Sequence, residues 1–421
     1  MKIRIIHFFF LLFPIIAVAG CRKQVDPVEI PQFSGDTLKI VWQTKFYNDP
    51  EHLSPETPIL WGDYLIIGDT DSKRLGKHDP GIKVVHKLTG KNHPAWDKEP
   101  GGIVLKDHNY INHFGLCGNN NEMLFGSSMK TLYMIDLNSG SVAWRESKNN
   151  EIYGHIFSNF MGKPVGEYTI SNDINRPNLE HLVAWDCYTR EKRVLCSVEP
   201  EDGYAHSLGS PAVTKNAEGD TLILFLETEW HFDLSKGRFA AYCYNVTKQK
   251  LEWRHKGFTS TAEATYYIPV ITDCGKVVFQ GMGSVSCFDI ASGELLWLRE
   301  PLTLHTGFVM SQGNHVFVWD YKGAIYCIDA NTGVSVWENR DSNIGPYLFT
   351  DMAIYKERLY FIGSLPGVSS GLFCLSAKTG EQLWMNDAHY PFGGVAIDQE
   401  TGYLYFMSKL NLITCIDLND Y

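Results

Sequence analysis

The chain has 421 residues, with 37 Lys and Arg against 48 Asp and Glu, for a formal charge of −11. An acidic chain without basic runs excludes proteins that grip nucleic acid through clustered Lys and Arg. At this length more than one domain is the ordinary expectation, unless the chain is a single repeat array.

The first element reads as an export signal. Lys2 and Arg4 precede an apolar run from Ile5 to about Val18, too short to span a bilayer and ordered as a secretory signal. It ends in Val18-Ala19-Gly20-Cys21, which resembles a bacterial lipobox; the resemblance implies cleavage before Cys21 and acylation of that cysteine. Residues 1–20 are read as signal peptide and 21–37 as a lipidated tether, polar and punctuated by proline. Several acyl chains on one residue suffice for stable anchoring. Arg22 and Lys23 follow the cysteine where aspartate would signal retention in the inner membrane. By resemblance to sorting rules this implies the outer membrane, with the periplasmic face preferred to the cell surface.

From Leu38 onward the chain repeats itself. "LKIVWQTKF" (Leu38 to Phe46) is a lone strand ending near a tryptophan. Then come "VVHKLTGKNHPAW" from Val84, "LYMIDLNSGSVAW" from Leu132, "VAWDCYTREKRVL" from Val183 and "AYCYNVTKQKLEW" from Ala241. "VSCFDIASGELLW" from Val285, "IYCIDANTGVSVW" from Ile325, "LFCLSAKTGEQLW" from Leu372 and a truncated "ITCIDLND" from Ile413 complete the series. Each copy is two short strands alternating with period two, half buried on one face, joined by Asp-x-x-Thr/Ser-Gly. The Asp carboxylate can accept turn N–H groups, and the glycine can take the left-handed conformation of a bulged hairpin. Arg190 and Gln249 replace that glycine in two copies, so those turns are expected to differ. Another strand pair precedes each copy, and four strands every ~40–55 residues is the signature of a propeller blade.

Seven complete copies and one truncated copy give an all-β, eight-bladed propeller over residues 38–421, closed by pairing of the N-terminal strand with the C-terminal blade. Seven blades is the alternative if one weak copy is not a blade. Cys243, Cys287, Cys327, Cys374 and Cys415 share one position, where Met134, Ala184 and Val84 stand in other blades; they read as small buried hydrophobes. Cys187 and Cys196 could pair across a hairpin, while Cys117 and Cys274 look solitary. Trp96, Trp144, Trp253, Trp297, Trp337 and Trp384 are expected to cover the seams between blades.

This repeat resembles that of the pyrroloquinoline-quinone-type propellers, a superfamily containing quinoprotein alcohol dehydrogenases and BamB-type outer-membrane assembly lipoproteins. The resemblance spans Leu38 to Tyr421. It implies, in the enzyme branch, adjacent cysteines over the quinone and a calcium held by Glu, Asn and Asp. No two cysteines are adjacent here, and "GDTDSKRLGKHD" (Gly68 to Asp79) lacks the spacing of a calcium loop. His108 and His113 in "DHNYINH" are a weak metal signal that a polar loop explains as well. Neither a quinone cofactor nor a metal is therefore expected, and no nucleophile or phosphate motif occurs.

One pattern stands apart. Loops before the inner strands carry His155, His206, Tyr266, His305, Tyr347 and Tyr390, with His113 a seventh. Such a ring at the channel mouth could bind an anionic ligand or a peptide, or could plug inner-strand backbone groups. The expectation is a non-catalytic, lipid-anchored scaffold, monomeric within a complex, with protein partners at the outer membrane, as in barrel assembly. Alternatives are a ligand receptor or quinoprotein-type dehydrogenase using the His/Tyr rim, and a surface glycan- or peptide-binding protein.

Overall fold

The computed structural model describes residues 38–46, 57–68, 81–97, 103–104, 111–128, 131–147, 166–172, 179–199, 205–230, 237–259, 268–281, 284–300, 309–320, 323–340, 345–346, 351–365, 368–388, 391–408 and 410–419. Two compact units are distinguished, Met1–Ile30 and Pro31–Tyr421, and every described residue belongs to the second. Cys21, with the expected signal and tether, lies outside the described residues.

Eight antiparallel sheets follow one another along the second unit. Blade 1 spans residues 59–104, blade 2 111–147, blade 3 168–198, blade 4 205–259, blade 5 270–299, blade 6 309–339, blade 7 345–386 and blade 8 391–417. The two weak repeats, around Val84 and Val183, each carry their own sheet, so the count is eight and the seven-bladed alternative falls. Blade 3 has three strands among the described residues. In blade 4 the inner strand is broken into Ala205–Leu208 and Ala212–Lys215, both paired to Thr221–Trp230.

Closure follows the predicted route. The strand Ile40–Lys45 pairs antiparallel with Leu412–Asp417 and completes blade 8. Trp42 falls opposite Cys415, the same cross-strand pair as Cys327 with Trp337 and Cys374 with Trp384. A strand from the far end of the sequence thus takes the register of a local one. Closing the ring leaves no sheet edge at the seam for another chain to pair with.

The strand pair of each repeat is buried unequally. Ile325, Cys327 and Ile328 are fully buried and Tyr326 nearly so, whereas Ser335–Asn339 alternates between partly buried and exposed. Period two led us to expect half burial of both strands. The first is instead sandwiched between two neighbouring blades, so both its faces are apolar; only the outer strand keeps one face in water.

The five equivalent cysteines all point to the following blade. Cys327 packs with Phe317 against Phe361 and Phe373 of blade 7, and Cys374 packs with Tyr360 against Leu404 and Phe406 of blade 8. Burial pushes the thiols of Cys243, Cys287, Cys327 and Cys374 up to about 12. They are inert packing groups.

Among the described residues, six seams are locked at their outer ends by a tryptophan that donates to the next blade. Trp297 Nε1 donates to Ala330 O at 2.9 Å, Trp337 to Ala377 O at 2.9 Å and Trp253 to Ile290 O at 2.8 Å. The closing strand does the same, Trp42 reaching Lys87 O at 2.9 Å. The ring then lies on the turn glycine of the next blade: a Cβ on Gly333, whose φ is +69°, would come 2.6 Å from Trp297 Cγ. That turn needs glycine both for its left-handed backbone and for the space.

Arg190 and Gln249 correct the expectation that their turns differ. Their φ values of 64° and 53° place them in the same left-handed conformation as the glycines. Asp186 Oδ1 still accepts the N–H groups of Tyr188 (2.9 Å) and Thr189 (2.6 Å), and the Arg190 N–H still reaches Asp186 O at 3.1 Å. Those turn bonds outweigh the modest cost of a left-handed side chain. At Gln249 the preceding blade has Leu195 where the others have tryptophan, so no ring presses on the turn.

The suggested pairing of Cys187 with Cys196 also fails. Cys187 is buried among Cys117, Met134 and Trp185, while Cys196 packs against the other cluster of blade 3, with Leu182 and Tyr242. Alternate residues of a twisted sheet send them to opposite seams.

Candidate functional site

Of the seven channel-mouth residues, His155, Tyr266, His305, Tyr347 and Tyr390 lie outside the described residues. His113 is on the strand Ile111–Cys117, opposite Ser127. His206 alone is described with its surroundings, and it is buried rather than presented at an open rim.

His206 belongs to a polar row that crosses blade 4. Each of four adjacent strands contributes one group: His206 from Ala205–Leu208, Glu227 from Thr221–Trp230, Tyr242 from Gly237–Asn245 and Arg254 from Lys250–Thr259. The register places Leu208 opposite Glu227, Phe225 opposite Tyr242, and Tyr242 opposite Arg254. With side chains alternating along each strand, these groups fall on one face. That face is turned to blade 3, where Phe225 and Tyr242 share a cluster with Tyr168, Leu182 and Ala184.

Glu227 is the centre of the row. The His206 Nδ1–H donates to its Oε1 at 2.9 Å, the Tyr242 hydroxyl to its Oε2 at 2.5 Å, and Arg254 Nη2 to the same Oε2 at 3.2 Å. The Arg254 guanidinium also lies 5.0 Å from the Tyr242 ring centre, and that ring stacks on Phe225 at 4.8 Å with an interplanar angle of 4°. The Glu227 side chain is 0% exposed and that of His206 2%, whereas Arg254 is 34% exposed. Burial alone would raise the Glu227 carboxyl. The hydrogen bonds from His206 and Tyr242 and the charges of His206 and Arg254 outweigh it and hold the group below the usual carboxylate range. Burial and the neighbouring carboxylate push the Tyr242 phenol well up.

Further buried charge surrounds the row. Glu180 of blade 3 accepts the Leu208 N–H at 2.6 Å, reaching across the seam to the same inner strand as His206. Glu229 pairs with Arg238 at 2.8 Å. Blade 6 has a smaller counterpart, where Asp320 accepts the Ala324 N–H at 2.9 Å and the Tyr326 hydroxyl at 3.0 Å.

Three donors converge on one ionised carboxylate, each a charge-assisted hydrogen bond. The row ties the inner strand of blade 4 to the three strands beside it. Sequence reasoning singled out His206 and missed Glu227, Tyr242 and Arg254. The signal was present in "TLILFLETEW", where two glutamates interrupt an apolar strand; buried glutamate is rarely left unpaired. Among the described residues no group of three or more His, Cys, Asp and Glu side chains is placed to hold a metal ion.

Comparison with known proteins bears on the fold. A family model described as outer membrane protein assembly factor BamB, of the pyrroloquinoline-quinone repeat type, matches residues 281–390. No curated protein sequence matches the chain. Among solved structures, BamB from Moraxella catarrhalis superposes with a TM-score of 0.57 at 13% identity, covering 91% of this chain and 98% of that one. The computationally designed Ika8 protein gives 0.56 at 12% identity, covering 89% and 99%. The quinohemoprotein alcohol dehydrogenase ADHIIG from Pseudomonas putida HK5 gives 0.54 at 10% identity, covering 91% of this chain and 76% of that chain. At these identities the likeness is one of fold. The chain is an eight-bladed β-propeller, and its residues 281–390 match the pyrroloquinoline-quinone repeat model.

Proposed function

We propose that the protein is a non-catalytic propeller, anchored by lipid at Cys21 to the bacterial outer membrane, that serves as a scaffold for protein partners in the assembly of outer-membrane proteins. The observation that carries this reading is the extent of the likeness to BamB, which spans 98% of that chain, whereas about a quarter of the alcohol dehydrogenase has no counterpart here. The family match over blades 5 to 7 points the same way. Consumption of His206 by Glu227 supports it, because that rim residue is committed to holding a strand. A fold shared by enzymes, assembly factors and designed proteins does not by itself assign a task, so partner capture is the test.

Gentle detergent extraction of a tagged protein, followed by mass spectrometry, should recover outer-membrane assembly proteins. Recovery should fall in a Cys21→Ser form that cannot be acylated. Extraction of the protein alone, from both forms, would overturn the reading.

A further inference from the structure

Cys117 and Cys187 are far apart in the sequence, yet the fold brings them together where blade 2 meets blade 3. Both are buried in one small cluster with Met123, Met134, Val183 and Trp185. Cys117 ends the inner strand Ile111–Cys117, and its Sγ lies 3.4 Å from Met134 Sδ. Cys187 sits in the outer turn of blade 3, and its carbonyl accepts Trp144 Nε1 at 2.9 Å. The two turns carrying them are tied to one another: the Asn119 N–H donates to the Tyr188 hydroxyl at 3.2 Å, and that hydroxyl donates to Glu122. Both sulfurs are reduced in this structure.

We propose that Cys117 and Cys187 form a disulfide that staples blade 2 to blade 3. The two side chains are hydrogen-bonding neighbours in one buried cluster, and the turns that hold them are tied through Tyr188, which sets the sulfurs side by side as such a bond requires. The thiols are also unequal in chemistry. Hydrogen bonding from Cys117 lowers the Cys187 pKa, with the Gly118 N–H assisting, while the bond to Cys187, and then burial, raises that of Cys117.

With oxidised glutathione as oxidant the step balances. The Cys187 thiolate attacks the glutathione disulfide as the two blades dock, before either sulfur is covered, and one glutathione leaves as thiolate. Cys117 loses its proton to solvent and attacks the Cys187 sulfur of the mixed disulfide, expelling the second glutathione. Two protein thiols are oxidised and one glutathione disulfide is reduced. Six other cysteines are placed away from this pair: the five repeat cysteines each face a different seam, and Cys196 faces the opposite side of blade 3.

The test is refolding of the full-length chain from urea in glutathione buffer, followed by alkylation of remaining thiols and non-reducing peptide mapping. A peptide joining Cys117 to Cys187 is expected as the dominant cross-link, with Tm raised by about 5 °C relative to the reduced protein, since the bond closes a loop of about 70 residues. C117S and C187S should each abolish both signals. Serine at a buried site can itself impair folding, so a C21S/C196S/C274S form, which leaves the pair intact, carries the same measurement independently. If that form refolds with the Tm of the reduced protein and both thiols alkylated, or with Cys117 or Cys187 joined elsewhere, the proposal fails.

Discussion

At the residue scale, the most consequential group is Glu227. Its carboxylate answers donors on three other strands, and removing it would leave His206, Tyr242 and Arg254 facing a buried void. Loss of one member of a buried ionic network costs more than the network contributes in net terms, because the survivors stay desolvated. Glu227→Ala should therefore destabilise by about 3 kcal/mol in denaturant unfolding, against roughly 0–1 kcal/mol for breaking the exposed pair of Lys250 with Glu252. The pH dependence has a definite sign. The folded pKa of Glu227 is depressed below its ordinary 4.5, so its stabilisation is complete above that value and is lost as pH falls through the folded pKa. Below about pH 5 the stability advantage of the native protein over Glu227→Gln should shrink as pH falls; an advantage that grows over that range would contradict the assignment.

At the element scale, the turn that joins the outer strands does two jobs. Its Asp or equivalent orders the backbone, as Asp329 Oδ1 does by accepting the N–H groups of Asn331 and Thr332 at 2.9 Å each. Its glycine receives the tryptophan of the blade before it. Gly333→Ala should cost about 3 kcal/mol, combining left-handed strain with displacement of Trp297. Gly219→Ala, at φ +85° with nothing within 4 Å of the added carbon, should cost only about 1 kcal/mol for the strain. Equal effects at the two sites, measured by chemical unfolding, would show that the ring on the turn contributes nothing. The same element explains what was legible from sequence. The Cys, Asp, Gly and Trp positions recur at fixed spacing, and each acts within its own hairpin or on the next one, so periodicity exposes them. Arg190 and Gln249 were misread because residue type was taken to dictate φ, where the turn's hydrogen bonds decide it.

At the scale of the molecule, the contacts that sequence did not reveal are those between blades. His206 was found by its place before an inner strand, but its partner Glu227 depends on strand register within blade 4, and the face they share depends on the seam with blade 3. The meeting of Cys117 with Cys187 is of the same kind, since neither occupies the repeated cysteine position. Ring closure, by contrast, was readable because one strand lacked a sheet and one sheet lacked a strand. Trp42→Ala removes a ring that packs near Tyr405 at 6.1 Å and bonds blade 1 through Lys87. It should cost about 4 kcal/mol and promote self-association detectable by size-exclusion chromatography; a monomer of unchanged Tm would show that closure does not depend on it.

That closing strand also sets an order of events. Ile40 pairs with Ile416, so the first of the described strands to emerge from any ribosome or export channel waits for the last. Blades 1 to 7 are composed of residues near one another in sequence and can form as they appear. Residues 40–45 have no partner of their own until residues 412–417 are delivered, and for that whole interval they are an open β-edge. The moment of completion, rather than the long body of the chain, is when the protein depends on being kept from the wrong neighbour.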